Sequence, residues 1–275
     1  MYRLIVSDID GTLYDDEKKV GRRDEEIIKK MLDGGIKIVL SSGRFYRGML
    51  PLAKKLNLFG AYHIATNGTC IFSADGEVVE TSTFCETGYS NLIRHLRKTC
   101  KSFVVINNEC MWYETQDTRC IDALGSNNGD APYIRVDDVL SVNEPYQICA
   151  FYSSLSECDE ILEGEIEGIS GSVTFREDAQ GDAIGLIDYI PAGTDKYAAL
   201  KKIAAMLGIK RDEIIGFGNN DNDLPIVKGA AVGVCVNNSS ENLKNASNLV
   251  LDRTNNENPM EELYEKLIKP DFRHE

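Results

Sequence analysis

Apolar residues in the first part of the chain come in short runs separated by helix-length polar stretches. Leu4 to Ser7 is one such run. Between Arg23 and Asp33, Ile27, Ile28, Met31 and Leu32 recur at the spacing of one helical face, and Gly34-Gly35 supplies a stop. Ile36 to Leu40 then reads as a second strand, Tyr46 to Leu56 as a second helix and Ala61 to Ala65 as a third strand. Strands alternating with helices predict βαβ units and a parallel sheet. In "IFSADGEVVE", the Asp75-Gly76 pair between β-rich runs predicts a hairpin turn.

From about residue 84 the rhythm changes. Phe103 to Ile106, Met111 to Tyr113, Gln147 to Tyr152 and Val173 to Arg176 read as strands, with helix signals at Ser90 to Cys100 and Ser156 to Glu167. This is the pattern of a separate α+β module. The α/β rhythm returns with a helix over Thr194 to Leu207, whose Tyr197, Leu200, Ile203, Ala204 and Leu207 share a face and which ends at Gly208. The strand Ile214 to Phe217, the stretch "GNNDNDLPIV", short strands at 232–236 and 248–251, and a helix from Met260 to Ile268 complete the pattern. The expected fold is therefore α/β: a Rossmann-like parallel-sheet core of residues 1–83 and 187–275, with an inserted α+β module at 84–186.

Composition narrows the function. A formal charge of −14 disfavours phosphate backbones and anionic lipid, so neither nucleic acid nor membrane is expected as a partner. No apolar run reaches the roughly 18 residues of a membrane span, and Met1-Tyr2-Arg3 leads straight into a strand pattern; both point to a cytoplasmic protein. The 8 cysteines contain no CxxC pair and read as buried thiols. With only 3 histidines and no HExxH, histidine-based catalysis is a poor fit.

The chemistry gathers where strands end. In an open parallel sheet, ligands sit at the carboxyl ends of the strands. The first strand runs into Asp8 and Asp10, two residues apart and so expected on one face. Two close carboxylates repel unless a cation sits between them, and an oxygen-only site suits Mg2+. An EF-hand is excluded, because its sixth and twelfth positions would be Leu13 and Lys19. The second strand ends in Ser41-Ser42-Gly43-Arg44, with a hydroxyl and backbone N–H groups able to cradle an anion. The third ends in Thr66-Asn67-Gly68. Lys196 lies in the first turn of its helix, where a cation opposes the helix dipole and calls for an anionic partner; the bland alternative is a solvated lysine beside Asp195. "GNNDNDLP" adds Asp221, Asp223 and three amides, all oxygen donors. There is no GxxxxGK[ST] and no GxGxxG, which sets aside a nucleotide phosphate loop and a Rossmann-type dehydrogenase.

The order DxDGT, SGR, a distant lysine and an acidic ND loop resembles the haloacid dehalogenase-like hydrolase superfamily, particularly its Cof-type phosphatases. The resemblance implies a magnesium-dependent phosphatase of small phosphorylated metabolites, sugar phosphates foremost, acting as a monomer or weak homodimer. It implies Asp8 as nucleophile, Asp10 as general acid and base, Thr12 as support for that second carboxylate, and Ser42 and Lys196 as holders of the phosphoryl oxygens. Gly11, Gly43, Arg44, Asn67, Gly68 and Asn222 would line the substrate. The implied metal ligands are Asp8, the Asp10 carbonyl, Asn219 and Asp223.

Two positions depart from the family's pattern. Asn219 stands where its GDxxND motif carries an aspartate, which predicts weaker magnesium binding unless Asp221 swings in. Tyr197 follows the lysine where relatives have small residues. The stretch from Asp10 to Ser42 is too short for a cap domain, whereas that from Arg44 to Lys196 is long enough, as in Cof-like members whose α/β cap closes over the substrate. Trp112, Tyr113 and Arg119 are weak specificity candidates within that cap. The competing readings are another phosphoryl-transfer enzyme on the same scaffold and a catalytically weakened phospho-ligand sensor.

Overall fold

A computed structural model of the protein describes residues 1–100, 102–114, 121, 124, 131–152, 158, 166–177 and 183–269, with the backbone alone for 174–177 and 183–184. In chain order its strands and α-helices are β1 (Leu4–Ser7), α1 (Arg22–Asp33), β2 (Lys37–Leu40), α2 (Tyr46–Lys55), β3 (Tyr62–Ala65), β4 (Cys70–Ser73), β5 (Val78–Thr81), α3 (Glu86–Thr99), β6 (Ser102–Ile106) and β7 (Met111–Tyr113). There follow β8 (Tyr133–Arg135), β9 (Gln147–Tyr152), β10 (Ile169–Glu177), β11 (Ala183–Pro191), α4 (Lys196–Leu207), β12 (Ile214–Gly218), α5 (Leu224–Gly229), β13 (Val232–Cys235), α6 (Glu241–Ala246), β14 (Leu249–Val250) and α7 (Pro259–Leu263). The chain divides into two compact units, one of residues 1–43, 50–77 and 195–275 and one of residues 44–49 and 78–194.

The first unit is built on a five-stranded parallel sheet in the order β14-β13-β12-β1-β2. A single parallel bridge from Ser41 to Ile64 continues it toward β3, which pairs antiparallel with β4. Its strands are short and almost wholly apolar because helices cover both faces. On one side Leu200, Ile203, Ile226, Val227 and Leu243 pack against Leu4, Val6 and Val39. Two glycines allow this close approach: a Cβ on Gly216 would meet the Ile226 carbonyl oxygen at 2.5 Å, and one on Gly233 would meet that of Val227 at 2.3 Å. The expected turn in "IFSADGEVVE" is present, with Ser73 N–H on the Glu77 carbonyl and Gly76 at φ 96°.

His63 is wholly buried on β3 and its Nδ1 accepts from the Leu40 backbone N–H at 3.2 Å, tying β3 to β2. Burial pushes this imidazole down to about 4, so protonation favours the unfolded chain. The folded pKa lies below the unfolded one, so stability is full above pH 6.5 and is lost as pH falls toward 4. The His63→Asn variant keeps an acceptor without the titration. Compared with it by denaturant unfolding between pH 7 and pH 4, the wild type should lose about 3 kcal/mol more; equal losses would contradict this account.

In the second unit, a six-stranded sheet runs β10-β11-β9-β6-β7-β8. Helix α3 packs through Leu92, Ile93 and Leu96 against Phe103, Val105, Ile148, Ala150 and Ile187 on one sheet face. The expected helix start at Ser90 is corrected to Glu86, because the Cys85 thiol accepts from Gly88 N–H and caps the extra turn. The local pattern predicts neither β8 nor β11; β11 gains its place by pairing with both β9 and β10. Trp112 donates its indole N–H to Asn107 Oδ1 at 3.0 Å and packs, partly buried, beside the core. Arg119 and most of the expected helix Ser156–Glu167 fall outside the described residues.

Candidate active site

At the carboxyl end of β1, Asp8 N–H still bonds the Phe217 carbonyl of β12 at 2.9 Å, and there strand pairing stops. The chain then coils about the Ile9 carbonyl, which receives the N–H groups of Thr12, Leu13 and Tyr14. Gly11, at φ 73°, makes that coil possible. Strand alternation therefore does not extend to Asp10. Asp8 is buried, whereas Asp10 lies past the strand, partly exposed. Asp10 nonetheless stays near enough to raise the Asp8 pKa slightly.

Lys196 decides the character of the site. It begins α4, capped by Asp195 Oδ1 on Ala198 N–H at 2.6 Å, and only 1% of its side chain is exposed. The alternative of a solvated surface lysine is thereby excluded. Its Nζ donates to Asp8 Oδ1 at 2.8 Å and to Asp223 Oδ1 at 2.6 Å. Burial alone would lower a lysine's pKa, but the two carboxylates outweigh it and hold Lys196 charged. Asp8 is pushed up to about 7 by burial first and by the neighbouring Asp223 second, against the pull of Lys196. Two buried carboxylates thus share one ammonium, and negative charge is in excess.

Asp223 is locked from the other side. Its Oδ2 accepts the backbone N–H groups of Asn219 and Asn220 at 3.0 and 3.2 Å, closing the 219–223 loop on itself. This requires Gly218, where a Cβ would meet Asp223 Cγ at 2.6 Å. The Asn219 side chain lies against the first motif, its Nδ2 at 2.3 Å from the place of a Cβ on Gly11. Asp221 turns elsewhere, accepting from Ser240 Oγ at 2.5 Å and Asn242 Nδ2 at 2.9 Å. The idea that Asp221 could replace Asn219 beside Asp8 is corrected accordingly.

The third strand ends in strained backbone. Thr66, Asn67 and Gly68 have φ of 48°, 55° and 108°, a left-handed run that a β-branched threonine adopts only under constraint. The constraint is visible: a Cβ on Gly68 would sit 2.3 Å from the Asp195 carbonyl oxygen, so the turn is pressed onto the start of α4. Asn67 Oδ1 accepts from Asn222 Nδ2 at 3.4 Å, and the Asn67 amide lies close to Gly43. Ser42 is buried and its N–H is spent on the Ile64 carbonyl at 2.9 Å, so that amide is not turned to a ligand. Thr12 Oγ1 is buried with no hydrogen-bond partner, so any support it lends Asp10 does not run through a hydrogen bond of that hydroxyl. Arg44 belongs to the second unit. Tyr197 lays its ring against Gly229, where a Cβ would meet it at 2.3 Å.

A family model described as haloacid dehalogenase-like hydrolase matches residues 5–261. The chain belongs to this hydrolase family. Its relatives include the phosphoglycolate phosphatase of Methanospirillum hungatei, 27% identical over 252 residues, covering 90% of this chain and 89% of that one. The 5-amino-6-(5-phospho-D-ribitylamino)uracil phosphatase YcsE of Bacillus subtilis is 25% identical, covering 91% and 90%. The chain spans only 44% of another relative, the chloroplastic endoribonuclease YBEY of Arabidopsis thaliana, at 24% identity. Among solved structures, a haloacid dehalogenase-like hydrolase from Bacteroides thetaiotaomicron superposes with a TM-score of 0.81 at 24% identity, covering 98% of this chain and all of that one.

The donor set of this family member suits a hard divalent cation. Asp8 and Asp223 offer only oxygen, the Asn219 amide can add its Oδ1, and the charge on the two carboxylates exceeds that of Lys196. Among the described residues no group of three His, Cys, Asp or Glu side chains forms a ready metal cage. Such a cation would therefore keep several of its own waters.

Proposed function

We propose that the protein is a magnesium-dependent phosphatase of small phosphorylated metabolites, sugar phosphates foremost, that works through an aspartyl-phosphate on Asp8. The observation that carries this reading is the buried Asp8–Lys196–Asp223 cluster at the carboxyl edge of the parallel sheet. Two of the relatives described above are named for small phosphorylated molecules, which supports the substrate class. The seven described cysteines are free thiols, as suits a cytoplasmic enzyme.

Asp8 attacks phosphorus while the bond to the leaving oxygen breaks, and Asp10 delivers its proton to that oxygen. Asp10 then takes a proton from the water that cleaves the acyl phosphate, freeing inorganic phosphate and restoring Asp8. Lys196 uses two N–H donors on carboxylates and has a third for a phosphoryl oxygen, with the Ser42 side chain as a second holder. Magnesium, held by Asp8, the Asp10 carbonyl, Asn219 and Asp223, would supply the charge that keeps Asp8 ionised and screens the phosphoryl oxygens.

Phosphate release from a panel of sugar phosphates, nucleotides and cofactor phosphates tests the reading. Turnover that chelation abolishes and magnesium restores is expected. Tight binding of phosphate esters without turnover of any would favour the sensor reading instead. The amide at Asn219 lacks the charge of an aspartate, so Asn219→Asp should lower the magnesium concentration for half-maximal activity by about 10-fold, the scale of a changed metal-shell partner. A magnesium titration of activity that coincides for variant and wild type would contradict that role.

A further inference from the structure

The loop that carries Asp10 is held from outside by three asparagines remote in sequence. Asn238 Nδ2 donates to the Gly11 carbonyl at 3.2 Å, and Asn238 Oδ1 accepts from the Asn255 N–H at 3.0 Å. Asn255, 6% exposed, donates Nδ2 to the Tyr14 carbonyl and to Asp16 Oδ1, both at 3.0 Å. Asn256 exchanges two further bonds with Asp16, through its Nδ2 to Asp16 Oδ2 and its Oδ1 from Asp16 N–H. Asn255 is itself fixed by a capping box in which Glu257 accepts from the N–H and hydroxyl of Thr254. The held carbonyls lie within the coil around Ile9 and at its end, and Asp10 and Tyr14 are paired across it.

We infer that Asn238 and Asn255 are positioning residues for Asp10: they hold the backbone at Gly11, the residue after it, and at Tyr14, its bridge partner, and so set where its carboxyl meets the leaving oxygen. Neither touches the Asp8–Lys196–Asp223 cluster, so the clamp acts on proton delivery and not on the nucleophile. A misplacement of about 1 Å in a reacting group costs about 100-fold in rate, which sets the size of the effect. This inference rests on the acid role proposed for Asp10.

The test combines leaving-group dependence with hydrogen exchange. Asn255→Ala removes both side-chain donations, and Asn238→Asp keeps the acceptor for Asn255 N–H while losing the donation to Gly11. Each should lower kcat on glucose 6-phosphate, whose alkoxide leaving group needs a proton, by about 30- to 100-fold with KM nearly unchanged. On 4-nitrophenyl phosphate, whose leaving group needs little help, the loss should stay under about 3-fold. Asp10→Asn should show the same contrast more strongly, and amides of residues 9–16 should exchange faster in both asparagine variants. Unchanged exchange overturns the clamp whatever Asp10 does. Faster exchange with equal losses on both substrates, where Asp10→Asn does show the contrast, overturns its link to Asp10. If Asp10→Asn itself shows no contrast, the acid role has failed, and the inference falls with it.

Discussion

Replacing Lys196 with methionine should cost about 3–5 kcal/mol of stability at pH 8 in chelator, the penalty for stripping one partner from a buried ion pair, and should abolish activity. Methionine fills a similar volume, so the loss reports charge rather than a cavity. With Lys196 gone, Asp8 and Asp223 face each other with side-chain exposures of 8% and 0% and no cation between them. The pH dependence carries the diagnosis. Asp8 already sits at about 7 against an ordinary 3.8, a raised carboxyl whose ionised form burdens the fold increasingly as pH rises through that value. Removing Lys196 deletes an attraction that lowers it, so Asp8 moves further up. The deficit of the variant should be largest above pH 7 and shrink on acidification, and adding Asp8→Asn should recover part of it. Urea unfolding across pH 5–8 reads all three; a pH-independent deficit would mean that packing and not charge holds the cluster.

Asp8→Asn should separate chemistry from stability. An amide cannot form the acyl phosphate, so kcat should fall by about 10^4- to 10^6-fold, the range seen when members of a nucleophilic unit are removed singly. No phosphoenzyme should be trapped by acid quench. Stability at pH 8 should hold or rise, because the substitution takes away one of two mutually repelling buried carboxylates while Asp223 keeps Lys196 paired. A variant with wild-type turnover would remove Asp8 from the nucleophile's role.

Most of the parallel core was legible because its periodicities are local. The apolar run Leu4–Ser7, the face of Ile28 and Met31, and the Gly208 stop each follow from neighbours a few residues away, and each appears where the pattern places it. The second unit was less legible. Strand β11 carries glycine and aspartate within its apolar run and owes its place to pairing on both sides with β9 and β10, an interaction no local window contains. The start of α3 hung on a cysteine cap, a residue type rarely read as one.

In the candidate site, residue types were readable and their states were not. The spacing of Asp8, Lys196 and Asp223 named the participants, but whether Lys196 was solvated or buried depended on α4 docking beside the ends of β1 and β12. Asp221 and Asp223 look alike along the chain; a fold-back onto the amides of Asn219 and Asn220 aims one at Lys196, and Ser240 and Asn242 draw the other away. The asparagines that hold the Asp10 loop gave no signal at all, being ordinary turn residues until the chain returns to β1. Short-range order and the choice of chemical groups are written in the sequence because side-chain period and turn chemistry act over a few residues. Charge state, burial and aim come from segments far apart in the chain, and only their packing could decide them.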